Sequence, residues 1–114
     1  MKATYWQKGD AIDYKNETSA TIEAGTVVEI ADHIGIAGND ILPGDTQPLI
    51  VEGCFKMQKA AESFEMGDNL YYDPTNNCVT KLSEETDETV HVHIGYAAAA
   101  ATEGATEAII KLIG

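Results

Sequence analysis

The sequence predicts an all-β fold, a small compact domain of the β-barrel or β-sandwich type, and three observations support this. Apolar and polar residues alternate with period two in residues 47–59 and 90–96. No segment sustains the 3.6-residue period of an amphipathic helix. Turn-forming residues separate short apolar runs, most clearly at residues 43–45, Pro-Gly-Asp. We therefore expect a single β domain over residues 9–114, preceded by an N-terminal arm at residues 1–8, with at most one short helix.

The longest alternating segment, residues 47–59, predicts one strand with one buried face. The residues of its apolar parity are Leu49, Val51, Phe55 and Met57. Gly53 shares that parity, and because glycine weakens a strand it marks a bulge or a close approach of another backbone. Ile50 and Cys54 fall on the polar parity. The second face is therefore predicted to be half covered, as in a small barrel or at a subunit contact.

Shorter strands are predicted on both sides of this segment. They are expected at residues 11–15, 18–22, 26–30, 34–37, 69–73, 78–82, 89–96 and 107–113. The first two are expected to pair as a hairpin. Residues 60–65, AAESFE, are the best helical candidate but are too few for more than one turn. The alanine run at 97–101 lies between strands, so we expect it to be extended and closely packed.

Composition excludes several classes of partner. Seven basic and 19 acidic residues give a formal net charge of −12, so neutralisation of phosphates cannot drive binding to nucleic acid. No window of 18 apolar residues and no secretory h-region is present, so we expect no membrane span and a protein kept in the cytoplasm unless it leaves in a particle. Cys54 and Cys78 lack CxxC spacing and are expected to be two buried, reduced thiols. The acidic run at 83–88 is expected to be a solvated loop.

Candidate chemistry is sparse. His91 and His93 are two residues apart on a predicted strand, which places both imidazoles on one face, as some metal sites require. A zinc site needs a third ligand that the sequence does not place, so a partly exposed sheet face is the preferred interpretation. The chain has no nucleophile elbow and no phosphate-binding glycine pattern. Asn16-Glu17-Thr18 matches the glycosylation sequon, which we interpret as accidental. The sequence therefore predicts neither an enzyme nor a cofactor.

The order of short motifs carries a family resemblance. From about Gly9 to Leu112 the chain contains, in order, GDAIDY, IEAGTVVEI, IGIA, LPGD, VEGCFKMQKA, MGDNLYYD, CVTKL, IGYA and AIIKL. This series resembles the small capsid cement, or decoration, proteins of tailed bacteriophages. The most specific parts are VEG at 51–53 with Phe55 and Lys59, and Gly67-Asp68 with the YYD at 71–73. The resemblance is weakest in the alanine-rich and acidic stretch at 83–106.

The resemblance implies a β-barrel-like protein that assembles, usually as a trimer, on the outside of the expanded phage head and clamps neighbouring capsomers. It implies the major capsid protein as partner and the capsid exterior as location, with the host cytoplasm as the site of assembly. Two other hypotheses remain open. A carbohydrate- or host-surface-binding module would use an exposed pair, Tyr71 and Tyr72, and a metal-dependent enzyme would use His91 and His93.

Two segments are candidate interfaces. The arm contains Tyr5 and Trp6, and aromatic anchors are common where interfaces bury surface. We expect this arm to be loosely held in the isolated protein and to become ordered on the capsid or on a neighbouring subunit; the alternative is that both aromatic residues cap the domain's own core. The small side chains of Ala97, Ala98 and Ala99 would let the backbones of different subunits approach closely.

Overall fold

The computed structural model describes residues 1–5, 7–83 and 91–113, and the fold is all-β. Its strands are β1 (Ala11–Lys15), β2 (Val27–Ile30), β3 (His33–Ala37), β4 (Thr46–Ile50), β5 (Glu52–Gln58), β6 (Asn69–Asp73), β7 (Cys78–Thr80), β8 (Val92–Ala97) and β9 (Glu107–Ile113). They form a four-stranded sheet, in the order β1-β4-β3-β2, and a five-stranded sheet, in the order β5-β9-β8-β6-β7. All the strand pairs within the two sheets are antiparallel. The sheets form a sandwich-like arrangement and not a closed barrel.

The main core lies between the two sheets. Its buried members are Ile34, Ile36, Met57, Phe64, Leu70, Tyr72, Val79, Ile94, Ala97, Ala108, Ile110 and Leu112. On β9 the buried residues alternate strictly with residues that keep exposed surface, as expected for a strand in the middle of a sheet with one face on the core. This inner alternation fixes the register of β9 against both of its neighbours.

The four-stranded sheet buries a second face as well. Val28, Ala37 and Leu49 lie on the side opposite Ile36, as the register of β2, β3 and β4 requires, and all three are buried although they are outside the main cluster. The segments before β2 and before β4 are tied together by paired backbone hydrogen bonds between Ile22 and Ile41. Ile41 and Leu49 have no exposed surface, so these connecting segments cover the outer face of this sheet.

Asn16 holds the covering segments together from inside. Its side-chain amide is fully buried and donates to the carbonyl oxygens of Ala20 and Ile41, both at 2.8 Å. Its side-chain oxygen accepts from the backbone amide and hydroxyl of Thr18, at 2.9 and 2.6 Å. Every polar atom of this side chain therefore has a partner, and the amide nitrogen that a sequon would present for glycosylation is enclosed.

Residues 47–59 do not form the single predicted strand. The chain leaves the four-stranded sheet at the end of β4 and enters the five-stranded sheet as β5, with Val51 between them. Val51 is buried, and its amide donates to the Asp10 carbonyl at 2.9 Å. The alternation of buried residues continues through the crossing because Leu49 and Met57 are both buried.

Gly53 occupies a conformation that favours glycine. Its φ of 126° is one that residues with a side chain rarely adopt, and an added Cβ would lie 3.5 Å from the Phe55 ring. The predicted irregularity is therefore a backbone conformation, because the pairing of β5 with β9 continues through Gly53 without a bulge.

Two other local predictions were wrong. Residues 18–22 do not pair with β1, whose partner is the distant β4; only Ile22 makes a bridge, to Ile41. Residues 60–65 form no helical turn, and Phe64 instead bridges Ala101. The predictions for the strands at 26–30, 34–37, 69–73 and 107–113 were confirmed. The acidic run falls almost entirely outside the described residues.

Candidate interaction surface

The predicted interface residues lie in different parts of the fold. Tyr5 is 82% exposed in a segment without secondary structure, which contradicts a role for it as a cap of the core, and Trp6 lies outside the described residues. Ala97 ends β8 with no exposed surface and packs in the main core, so its side chain is not available to a partner. Ala98 and Ala99 follow β8 and are half-buried. The amide of Ala98 donates to the carbonyl of Ile109 at 2.9 Å, so this pair lies beside β9.

Beside these alanines, the outer side of the five-stranded sheet presents a continuous row of side chains. In the register of β5 with β9, Lys56 pairs with Ile109 and Cys54 pairs with Lys111. On the other side of β9, Tyr96 pairs with Lys111. We call this surface the β9 face. It consists of Glu52, Cys54, Lys56, Tyr96, Glu107, Ile109, Lys111 and Ile113.

The β9 face combines exposed apolar groups with two lysines and two glutamates. Ile109 and Ile113 are 43% and 48% exposed on a central strand, a position where the outer face of a sandwich is ordinarily polar. Between them, the Lys111 ammonium lies 6.0 Å from the centre of the Tyr96 ring, so its aliphatic stem adds to the apolar surface. Cys54 is exposed, against the prediction of a buried thiol, whereas Cys78 is buried as predicted. Neither cysteine forms a disulfide.

The β9 face is less acidic than the chain as a whole. Residues 9–50 contain eight carboxylates and one lysine, a net charge of −7, and all eight carboxylates belong to exposed residues. β5 and β9 together contain two glutamates and two lysines, a net charge of zero. The β9 face is therefore a neutral, partly apolar surface on a strongly acidic protein.

The sequence of β9 contains a signal for this face that the motifs do not carry. In residues 107–113, EAIIKLI, isoleucines occur at both parities, so one set cannot be in the core. A strand with apolar residues at both parities indicates that both of its faces are covered or that one face is an interface. The prediction of a half-covered face rests on Ile50 and Cys54 and does not include Ile109 and Ile113, which carry the same signal.

The two histidines do not share an environment. His91 is buried before β8 starts; its Nδ1 lies 2.8 Å from the Leu82 carbonyl and its Nε2 lies 3.8 Å from an Asp73 oxygen. His93 is exposed, and its ring lies 5.1 Å from that of Tyr71. The prediction of a shared exposed face was wrong for His91, and the described residues contain no cluster of three potential metal ligands.

Asp73 organises the β6–β7 turn beside His91. Its carboxylate accepts from the Thr75 amide at 3.0 Å and from the Asn76 side chain at 2.7 Å. Burial by itself raises the pKa of Asp73, but the hydrogen bonds from Asn76 and Thr75 and the charge of His91 outweigh it and hold the pKa below its ordinary value. This is a structural network, because each oxygen of the carboxylate has a partner within the turn.

The tyrosine pair invoked for glycan binding is not exposed as a pair. Tyr72 is buried in the main core and its hydroxyl donates to the Asn77 side-chain oxygen at 3.1 Å. Burial, and then the negative charges of Glu29, Asp73 and Cys78, raise the pKa of Tyr72. Only the half-buried Tyr71 retains surface, so the structure removes the stated basis for a carbohydrate-binding module.

Lys59 is a buried cation with a structural arrangement. Its ammonium donates to the carbonyl oxygens of Ala60 and Thr102, both at 2.9 Å, and lies 5.1 Å from the centre of the Phe64 ring. These contacts connect the end of β5 to the segment before β9. They position the end of β5 and the start of β9, which are the two strands that form most of the β9 face.

Comparison with known proteins identifies the family. The chain matches the family described as phage cement protein over residues 6–112. It belongs to that family. No curated protein and no solved structure gives a match. The family is a structural one that implies binding to the phage capsid and a place in the virion. Within the described residues, no helix has the length and apolar character needed to cross a membrane.

Proposed function

We propose that this phage cement protein binds the outer surface of the expanded head, contacts the major capsid protein and stabilises the capsid lattice. The observation that carries the proposal is the family match over nearly the whole chain, residues 6–112. A protein of this kind acts by binding and needs no catalytic group. Assembly takes place in the host cytoplasm, before the virion is released.

The protein acts as a homotrimer in this proposal. Ala98 and Ala99 support it, because they keep surface beside β9 and their small side chains allow another backbone to approach closely. The net charge of −12 opposes association of copies, so trimers are expected to weaken at low salt, where this repulsion is least screened. Light scattering in moderate salt at micromolar concentration tests this, and a monomer there would contradict the trimer.

The direct test of function uses expanded capsids that lack the cement protein. Purified protein is mixed with them, and bound protein is measured after sedimentation together with the temperature at which the capsids disrupt. We expect saturable binding and a higher disruption temperature. Unexpanded heads are the matched control and should bind less. Failure to bind expanded capsids would refute the proposal.

The N-terminal arm contributes to this binding in our proposal. Tyr5 has little contact with the domain, and the described residues of the arm are all exposed. Deletion of residues 1–8 should therefore leave the melting temperature unchanged within about 2 °C, because ordinary surface changes have small effects on stability. Retention on expanded capsids should fall. A collapsed melting transition would show instead that the segment belongs to the folded domain.

A further inference from the structure

We propose that the N-terminal arm, residues 1–8, of one copy of this chain adds as a strand to the free edge of β5 in a second copy. The inference rests on the proposed self-assembly and names the two segments that meet in it. The donor is an exposed arm and the acceptor is a sheet edge, so the contact is head-to-tail. Such contacts close into a ring, for example of three copies, when the rotation between copies permits.

The outer edge of β5 has backbone groups that point away from its neighbour in the sheet. β5 is the edge strand of the five-stranded sheet and pairs along its length with β9. The Lys59 amide donates to the Thr106 carbonyl at 3.0 Å, so the odd-numbered residues of β5 bond toward β9. The N–H and C=O groups of Cys54 and Lys56 therefore point to the free side. There, the described residues supply a β-bridge only past the end of β5, between Lys59 and Val79. Such an edge is a template for one more strand.

An apolar cleft runs along this free edge. Its volume is about 450 Å³, within the range of protein ligand sites, roughly 300–1,000 Å³. Its apolar lining comes from both sheets and includes Val27, Ile36, Ile50, Phe55 and Met57. Side chains of an added strand would alternate between this cleft and the outer side of the sheet, where Cys54 and Lys56 lie. The site therefore suits an extended segment with one apolar and one polar side.

The arm has the pattern that this site requires. In an extended arm, Met1, Ala3 and Tyr5 lie on one side, and Lys2 and Thr4 lie on the other. The described residues of the arm are exposed and belong to no strand. Eight extended residues span about 26 Å, which is enough to follow the seven residues of β5.

Charge favours the arm over other segments of this chain. Residues 1–8 contain two lysines and no acidic residue, whereas residues 9–114 contain five lysines and 19 acidic residues, a net charge of −14. The arm is therefore attracted to the body of another copy, although two whole copies repel each other. Lys56 is the charged residue among those that line the cleft, and Glu52 on the same side of β5 offsets it.

Connectivity favours the arm of a second copy over the chain's own arm. The arm leads into β1, and β1 and β3 flank β4 on opposite sides. The cleft lies on the β3 side, because its lining includes Ala37 of β3 and Val27 of β2. The chain's own arm therefore starts on the far side of β4 from the cleft, and Tyr5 is 82% exposed there.

Disulfide trapping with the exposed Cys54 tests the pairing. Lys2→Cys, Thr4→Cys and Lys8→Cys each place a thiol on the outer side of an added strand, the side of Cys54, whereas Ala3→Cys places one on the cleft side. Isotopically labelled and unlabelled copies of each variant are mixed and oxidised. We expect links between copies through Cys54 from outer-side variants, and none above the Cys54→Ser background from Ala3→Cys. Equal yields from both sides, links within one chain alone, or no links at all would overturn the proposal.

Lys56→Pro tests the edge itself. Proline removes the N–H at this position, and edge strands tolerate it where the N–H faces solvent, so the fold should be retained, as circular dichroism checks. The matched control, Lys56→Thr, removes the same charge and keeps the N–H. Sedimentation velocity over a concentration series should show association weakened at least about tenfold in Lys56→Pro and close to wild type in Lys56→Thr. Equal association of the two variants would overturn the proposal, and disulfide trapping decides it independently if Lys56→Pro does not fold.

Capsid binding separates this proposal from the proposed function. Dissociated Lys56→Pro protein that still binds expanded capsids would support the arm exchange and leave the proposed function intact. Its retention should be lower than that of the wild type, because linked copies bind through several contacts at once. In the wild type, the reaction of Cys54 with an aromatic disulfide reagent should slow as protein concentration rises. Slowing that appears only on addition of capsids would assign the edge to a capsid segment and overturn the proposal.

Discussion

The outer face of the four-stranded sheet is covered by the chain's own connecting segments, whereas the outer face of the five-stranded sheet is open. Leu49, on the covered face, has no exposed surface, and Ile109 and Ile113, on the open face, keep nearly half of theirs. Both sheets nevertheless contribute their inner faces to the same main core. The difference teaches that Ile109 and Ile113 are not needed to complete this core, because the alternate residues of β9, which are Ala108, Ile110 and Leu112, already do so.

The largest effect that tests this comparison is the truncation of one residue on each face. Leu49→Ala should lower the free energy of unfolding by ~2–5 kcal/mol, because it leaves a cavity under the covering segments. Ile109→Ala should lower it by less than about 1 kcal/mol, since its side chain is already largely in solvent in the single chain. Urea denaturation at a low protein concentration measures both. Equal losses would mean that the β9 face is buried within one chain and that the comparison fails.

A smaller effect tests the cover itself. Asn16→Ala removes both amide donors from the carbonyls of Ala20 and Ile41 and should cost about 2 kcal/mol, because buried polar groups lose partners. The matched control is Asn39→Ala, whose exposed amide makes only a long contact of 3.4 Å to Gln47 and should change stability by less than about 0.5 kcal/mol. Hydrogen exchange should show faster opening at the Ile22 and Ile41 amides in the first variant alone. Unchanged exchange at these two amides would show that Asn16 does not hold the covering segments in place.

Much of the fold could be predicted from the sequence because strand-forming runs and turns are local properties. β2, β3, β6 and β9 are short runs that contain β-branched or aromatic residues, and turns such as that at Gly44, where φ is 85°, separate the strands clearly. The change of sheet at Val51 could not be predicted in this way. Leu49 is buried under the covering segments and Met57 is buried in the main core, so the same parity is buried in both sheets although it faces different sides, and the pattern is continuous although the strand is not.

The interaction surface was less predictable, for a related reason. Whether Ile109 faces solvent depends on which segments cover the sheet, and that is decided by contacts distant in sequence, such as Ile22 with Ile41. Likewise, His91 precedes β8 and lies beside the β6–β7 turn, whereas His93 lies within β8 and is exposed, although their spacing suggests a shared face. Parity gives two sets of residues, but only the tertiary structure shows whether each set is covered.

The smallest effect concerns the edge of the five-stranded sheet at the β6–β7 turn. Polar groups stabilise this turn, whereas covering segments stabilise the outer face of the four-stranded sheet. Asp73→Asn should cost ~1 kcal/mol near neutral pH, because a charge-assisted network around the turn is weakened.

The pH dependence of this difference gives the sharper test. The pKa of Asp73 is lower in the folded protein than in the unfolded chain, so its contribution to stability is present above the unfolded pKa and is lost as pH falls through the folded one. The stability difference between wild type and Asp73→Asn should therefore shrink as pH falls below the ordinary aspartate pKa of about 3.9. Asp13→Asn, on an exposed residue, is the control for the general effect of removing one negative charge. Because every other carboxylate is common to both proteins, their titration cancels in the difference. A difference that stays constant over this range would show that the Asp73 charge does not stabilise the turn, and that the edge of the open sheet depends on packing as the covered sheet does.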